Sequence, residues 1–181
     1  APARHVQETD LANKGNRKLI RAFNHFQKEK FDSLLLLTKQ GDYVKANEIY
    51  VQSFPALQDK VTWLPFVCKK ALARIYRSSD ICVDQFDIGS CGTSGLEALA
   101  CARPCLGYIE SKYLDWCHGV LTSAPPYCQA RTEADIIRWF KLLSNSLTLR
   151  QETGILNREW ILQNHSPEKI VKLHLQEYQK G

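Results

Sequence analysis

Apolar residues form two kinds of pattern along this chain. One is a short continuous run, such as Leu34–Leu37, bounded by charged residues, glycine or proline. Runs of this length are typical of strands that are buried on both faces. They predict strands over Ala3–Gln7, Ser33–Thr38, Val61–Leu64, Asp80–Gln85, Cys105–Ile109 and Tyr127–Gln129.

The other pattern places apolar residues three or four positions apart, as on one face of a helix. Leu19, Ile20, Phe23 and Phe26 follow this spacing and predict an amphipathic helix over Lys14–Lys30. Glu110–Ala124 shows neither pattern, so irregular structure is expected there. Further helices are predicted over Tyr43–Val51, Cys68–Arg77, Thr93–Ala102, a segment capped by Thr132, Leu149–Gln163 and a last segment that begins at Pro167. Expected N-caps for these helices include Asp10 or Asn13, Thr93, Thr132 and Ser166.

Strands and helices therefore alternate until the last third of the chain, where helices follow one another. Alternation of this kind predicts parallel strands joined by right-handed crossovers, in a doubly wound α/β sheet with extra C-terminal helices. We expect a single domain over residues 1–181. In such sheets a ligand binds outside the carboxyl ends of the strands. This rule selects the loops that follow Gln7, Thr38, Leu64, Gln85 and Ile109.

Composition and charge narrow the class of protein. The net charge is +5 without a dense block of Lys or Arg, which favours an anionic small ligand over nucleic acid. Seven cysteines occur without a CxxC motif and predict buried reduced thiols, with Cys91 as the one thiol to test for reactivity. No apolar run approaches 18 residues and no signal peptide is visible, so a cytoplasmic protein is expected, with peripheral membrane contact left open. The absence of methionine predicts a fragment or a processed chain.

The candidate chemistry lies in the glycine-rich stretch between two predicted strands. A strand ends near Gln85, Gly92 and Gly95 follow, and Glu97 stands in the first turns of the next helix. Backbone N–H groups and the positive end of a helix dipole bind phosphate, while a nearby carboxylate accepts hydrogen bonds from sugar hydroxyls. The stretch predicts a site for a sugar nucleotide. Asp84 and Asp87 also lie there, and a hydrolase would need two such acids across a sugar. Two acids three positions apart near a strand end are common, so this pair does not favour a hydrolase.

Four motifs in sequence order resemble the donor-binding, C-terminal half of GT-B fold glycosyltransferases. The similarity is greatest to the large retaining family known as group 1 or family 4, and it covers nearly the whole chain. It implies a Rossmann-like half of the fold, with the acceptor domain absent from this chain. The motifs are Lys14–Gly15 with Leu19–Phe23, Val61–Leu64, Tyr76–Val83 and Gly89–Pro104.

The resemblance also implies roles for particular residues. Glu97 would bind the nucleotide ribose, and Lys14 would neutralise the leaving diphosphate, so both carry catalysis. No metal and no cofactor are implied, and the substrate would be a UDP- or GDP-linked sugar. Leu64, Pro65 and Phe66 would flank the base, and Gly92, Thr93 and Ser94 would lie against the diphosphate. The full set of implied binding residues adds Arg4, Lys14, Gly95 and Glu97.

One departure from the family pattern leaves alternatives open. Many relatives carry an acid eight positions before the ribose glutamate, where it contacts the donor sugar, but here that position is Gly89. The expected function is transfer of a hexosyl group from a nucleotide-diphosphate sugar to a hydroxyl acceptor. This chain would be one part of a larger enzyme and would be inactive alone. The alternatives are a non-catalytic nucleotide-sugar-binding module and an epimerase-like relative of the same fold.

Overall fold

A computed structural model of the chain describes residues 5–10, 13–29, 31–121 and 123–179. Its helices and strands alternate as the sequence predicts. The helices are α1 Asn16–Lys28, α2 Val44–Gln52, α3 Lys69–Ser78, α4 Thr93–Ala100, α5 Ser111–Val120, α6 Glu133–Asn145, α7 Leu147–Asn164 and α8 Pro167–Tyr178. The strands are β1 Leu35–Thr38, β2 Val61–Leu64, β3 Cys82–Val83, β4 Cys105–Gly107 and β5 Cys128–Gln129.

Every strand pair in the described residues is parallel, which confirms the α/β prediction. β1 pairs with β2, with Leu35 opposite Val61, and a second group has the order β3-β4-β5. The predicted strand over Ala3–Gln7 lies mostly outside the described residues. The His5 N–H donates to Gln40 O at 2.7 Å, so this segment joins the chain just beyond β1.

Two apolar clusters hold the layers together. In the first, α1 packs against α6, and the rings of Phe23 and Phe140 meet edge to face with 6.2 Å between centroids. In the second, Leu99 of α4 and Trp160 of α7 cover Cys105 of β4. The continuous apolar strands are therefore covered by helices, as their sequence predicts.

The prediction of irregular structure over Glu110–Ala124 was wrong. Residues 111–120 form α5, and Cys117 is fully buried while Trp116 remains half exposed. Tyr113, Leu114 and Cys117 are spaced as one helical face, and Tyr113 and Leu114 pack against the second cluster. That spacing could have indicated the helix.

Two of the four predicted side-chain caps differ in the structure, whereas Thr132 and Ser166 act as predicted, with Ser166 Oγ accepting from the Lys169 N–H at 3.3 Å. α1 begins after Gly15, which adopts φ 76°, while Asn13 Oδ1 accepts from the Gly15 N–H at 2.9 Å. The N-cap of α4 is Gly92 rather than Thr93. The Thr132 prediction is confirmed, because its side chain and Asp135 form a reciprocal capping box.

His5 is a buried titratable group that ties the N-terminal segment to the core. Its ring is fully buried, and Nδ1 lies 2.9 Å from Asn47 Nδ2. Arg17 Nε donates to Asn47 Oδ1 at 3.3 Å, which fixes the orientation of the amide. The Asn47 Nδ2–H therefore points at an unprotonated His5 Nδ1. Burial lowers the pKa of His5 from 6.5 to about 4.

Stability is expected to fall as the pH drops from 6.5 towards 4. In the unfolded chain His5 takes up a proton near its ordinary pKa of 6.5, whereas in the folded chain it does so only near pH 4. The free energy of unfolding therefore carries no penalty from His5 above pH 6.5, and it is lower by about 3 kcal/mol at pH 4. Urea denaturation across this range measures the slope, and His5→Gln should flatten it. An equal slope in wild type and variant would show that other groups control the effect.

Candidate nucleotide-sugar site

A cleft of about 1190 Å³ opens at the carboxyl ends of the strands. Its rim lies between the loop after β2 and the N-terminal turn of α4. Its inner part continues between β1 and β3, past Phe26, to polar residues near the amino ends of these strands, such as Asp32 and Asp80. Seven of the ten predicted site residues line this cleft. They are Lys14, Leu64, Pro65, Phe66, Thr93, Ser94 and Glu97.

Lys14 is fixed at the rim by its backbone. Its carbonyl accepts the Phe86 N–H at 3.0 Å, and the left-handed Gly15 turns the chain into α1. A side chain at Gly15 is disfavoured by the left-handed φ of 76°, and a Cβ there would also stand 3.0 Å from Phe86 Cβ. Within the described residues the Lys14 ammonium has no hydrogen-bond or ion-pair partner. It is therefore available for an anion in the cleft.

The N-terminus of α4 presents backbone donors to the same cleft. The N–H groups of Thr93, Ser94 and Gly95 begin the helix and have no acceptor among the described residues. The Gly92 N–H differs, because it donates to Asp84 Oδ2 at 2.7 Å. The free amides of Thr93 and Ser94, two residues that line the cleft, and the helix dipole can thus bind a phosphate, while the preceding amide is already engaged inside the protein.

Glu97 lies one turn further along α4, with its carboxylate facing α3. Tyr76 donates its hydroxyl to Glu97 Oε2 at 3.4 Å, and Lys69 forms an ion pair with Oε1. Burial, reinforced by the neighbouring Glu97 charge, raises the pKa of Tyr76 far above its usual range. The tyrosine therefore stays protonated and orients a half-exposed carboxylate that can accept from ribose hydroxyls.

The loop after β2 forms the opposite rim with Leu64, Pro65 and Phe66. Phe66 is 88% exposed, more than any other large apolar side chain among the described residues. An exposed ring at the mouth of a polar cleft can stack on a planar base. The base-contact role of the loop stays a prediction.

Gly92 and Gly95 do not line the cleft, and a side chain on either would point at Asp84 or Tyr127. A Cβ on Gly92 would stand 2.6 Å from Asp84 Oδ1, and one on Gly95 would stand 1.4 Å from the Tyr127 hydroxyl oxygen. Asp84 is fully buried, and Tyr127 donates to its Oδ2 at 3.0 Å. The glycines therefore allow a buried Asp84–Tyr127 pair to lie against the start of α4 and fix its direction.

Other predicted features take different places. Arg4 lies outside the described residues. Burial raises the pKa of Cys91 to about 12, and its sulfur lies 3.0 Å from the Tyr127 hydroxyl, so this thiol is poorly suited to react. Asp87 pairs with Lys18, so Asp84 and Asp87 are both engaged within the protein.

The sequence reasoning missed Lys69, Tyr76 and Tyr127 as parts of the site, and it considered Asp84 only as an acid for a hydrolase. Tyr76 alone carried a signal, since it stands inside one of the family motifs. The others are recognised by contacts between residues that are far apart in sequence. Among the described residues no group of three or more His, Cys, Asp or Glu side chains is placed to hold a metal ion. No helix in the described part of the chain is long and apolar enough to cross a membrane.

Comparisons with known proteins bear on the fold and the family of this chain. The chain is similar in structure to a mutant S. aureus TarM in complex with Fondaparinux, alpha-GlcNAc-glycerol and UDP, with a TM-score of 0.72 and 17% sequence identity. The match covers 96% of this chain and 34% of the TarM chain, so the present chain spans about a third of that length. No curated protein matches the chain. A family model described as glycosyl transferases group 1 matches residues 6–112, more than half of the sequence. The chain therefore belongs to the group 1 glycosyltransferase family.

Proposed function

We propose that this chain binds the donor, a UDP- or GDP-linked sugar, for a glycosyltransferase that transfers a hexosyl group to a hydroxyl acceptor. The observation that carries the proposal is the meeting of four features in one cleft. They are the free Lys14 ammonium, the free amides at the start of α4, the Glu97 carboxylate and the exposed Phe66 ring. The TarM structure contains UDP, which supports a nucleotide as the ligand class.

The arrangement suits a reaction in which diphosphate leaves. The bond between the sugar's anomeric carbon and the diphosphate oxygen breaks, the acceptor oxygen bonds to that carbon, and the acceptor hydroxyl loses its proton. Negative charge grows on the diphosphate as the bond breaks. Lys14 and the α4 amides stabilise that charge more strongly in the transition state than in the ground state.

We place the acceptor on a further domain outside these 181 residues, so the chain alone binds the donor but turns over poorly. The single-domain prediction for residues 1–181 and the cytoplasmic location are part of the same proposal. A second candidate is a non-catalytic binding module. It is favoured by Gly89, which provides no carboxylate of its own at the edge of the site.

Turnover separates these two candidates. The complete protein that contains this chain is incubated with UDP-glucose, UDP-N-acetylglucosamine, GDP-mannose and ADP-glucose, and release of nucleoside diphosphate is measured. We expect release from donors of one base, with Lys14→Ala lowering kcat by about a hundredfold or more. Lys112→Ala, which changes an exposed lysine of α5, is the matched control.

The other outcomes are equally informative. Binding without release by any donor would favour the module. Unchanged kcat in Lys14→Ala would contradict the role given to Lys14, and neither binding nor release would contradict the proposed function.

A further inference from the structure

The side chain of Glu110 occupies the space beside Gly89. A Cβ built on Gly89 would stand 3.0 Å from Glu110 Cγ and 3.2 Å from Cδ. The Glu110 N–H donates to Gly89 O at 2.9 Å, which holds the two residues together. Gly89 itself adopts φ 79°, a conformation that disfavours any side chain there. A carboxylate therefore lies beside residue 89, although it comes from another loop.

Glu110 stands at the ligand edge of the sheet. It follows β4, the neighbour of β3, whose own loop leads through Ile88 and Gly89 to the start of α4. Ile88 lines the cleft. Glu110 is exposed, and within the described residues its carboxylate has no hydrogen-bond or ion-pair partner. A carboxylate at this edge would repel a phosphate, so a neutral ligand group that carries hydroxyls suits it better.

The order of groups along the cleft indicates what that group is. The loop after β2 and Glu97 lie towards α3 and are suited to base and ribose, and the start of α4 is suited to the diphosphate. A sugar attached beyond the diphosphate then extends away from α3, towards the loops after β3 and β4. Glu110 belongs to that side.

We propose that Glu110 accepts hydrogen bonds from hydroxyl groups of the donor sugar and contributes to the choice of sugar. The inference rests on the proposed function, because it assigns one more contact in the same site. A carboxylate accepts two hydroxyl hydrogen bonds in a fixed geometry, so it distinguishes sugars by the positions of their hydroxyls. Glu110, in the loop after β4, would then supply the carboxylate that Gly89 lacks.

A purely structural role for Glu110 makes a different prediction. Glu110 is the N-cap residue of α5, but its side chain makes no capping hydrogen bond. Its remaining structural contribution is a charge near a helix N-terminus, which affects stability and leaves ligand selectivity alone.

Calorimetric titration of the chain with a nucleoside diphosphate and with the same nucleotide linked to sugar tests the proposal. The pairs are UDP with UDP-glucose and UDP-N-acetylglucosamine, and GDP with GDP-mannose. For each pair the readout is the ratio of the two Kd values, so that any effect on nucleotide binding alone cancels. Glu110→Gln and Glu110→Asp are expected to shift this ratio against the sugar by about tenfold. Glu168→Gln, in the first turn of α8, is the matched control and should leave the ratio unchanged.

The outcomes distinguish this inference from the proposed function. If the nucleotides bind and the ratio is the same in wild type and both Glu110 variants, the inference is overturned while the proposed function stands. If Glu110→Gln lowers only the melting temperature, the structural role is sufficient and the inference is again overturned. If neither nucleotides nor nucleotide sugars bind to the wild-type chain, both are overturned.

Discussion

Alanine at position 95 is expected to lower the free energy of unfolding by about 3–5 kcal/mol. The new Cβ would stand 1.4 Å from the Tyr127 hydroxyl oxygen and 2.6 Å from its Cζ. Tyr127 is buried, and its hydroxyl donates to Asp84, so the ring cannot retreat without breaking that bond. Overpacking costs about 1–3 kcal/mol, and losing a buried hydrogen bond to a carboxylate costs about 1.5–3 kcal/mol more.

Urea denaturation of Gly95→Ala beside Gly119→Ala measures the effect. Gly119 lies in α5, and a Cβ there has no neighbour within 4 Å, so that substitution should stabilise by up to about 1 kcal/mol. Adding Tyr127→Phe to Gly95→Ala removes the nearest atom, so the double variant should lose less than the sum of the single losses. Equal effects of alanine at positions 95 and 119 would show that Tyr127 does not constrain α4.

Replacing Glu97 with glutamine is expected to weaken binding of a nucleoside diphosphate by about 10- to 100-fold. A charged acceptor contributes about 1.5–3 kcal/mol per hydrogen bond, and glutamine keeps the shape of the side chain but loses the charge. Tyr76 and Lys69 surround this carboxylate in the free protein, so a ribose hydroxyl that replaces Lys69 meets an oriented acceptor.

Inorganic diphosphate provides the discriminating titration for Glu97. It has no ribose, so its affinity should change little in Glu97→Gln while that of the nucleotide falls. Glu152→Gln, on an exposed position of α7, is the control for a general effect of charge. Equal losses for diphosphate and nucleotide would assign Glu97 to the phosphates instead of the ribose.

Local sequence predicted most of the elements because their signals lie within a few residues. Val61–Leu64 is a strand with the predicted bounds. Thr132 caps α6 and forms a capping box with Asp135, the third residue of that helix. The N-cap of α4 was misassigned because its surroundings include a contact outside the helix. Thr93 has a suitable side chain, but the long-range bond from the Gly92 N–H to Asp84 moves the cap to Gly92.

The candidate site was less predictable, because its decisive contacts join distant segments. Tyr127 and Asp84 are 43 residues apart, and nothing local indicates that their contact requires glycine at positions 92 and 95. The resemblance implied a diphosphate contact for Gly92, which stays a prediction, and the structure adds that both glycines pack against this buried pair. The contact between Glu110 and Gly89 is also visible only in the folded chain. It places a carboxylate beside residue 89, where this sequence lacks the acid of the family motif.

The central claim is that the cleft between Phe66 and α4 binds a nucleoside-diphosphate sugar. Calorimetric titration of the chain with UDP, GDP and ADP tests it most directly, with Lys14→Ala and Glu97→Gln measured in parallel. The account predicts saturable one-to-one binding of one of the three, weakened in both variants. Absence of saturable binding by all three up to millimolar concentrations, or binding that neither variant alters, would contradict it.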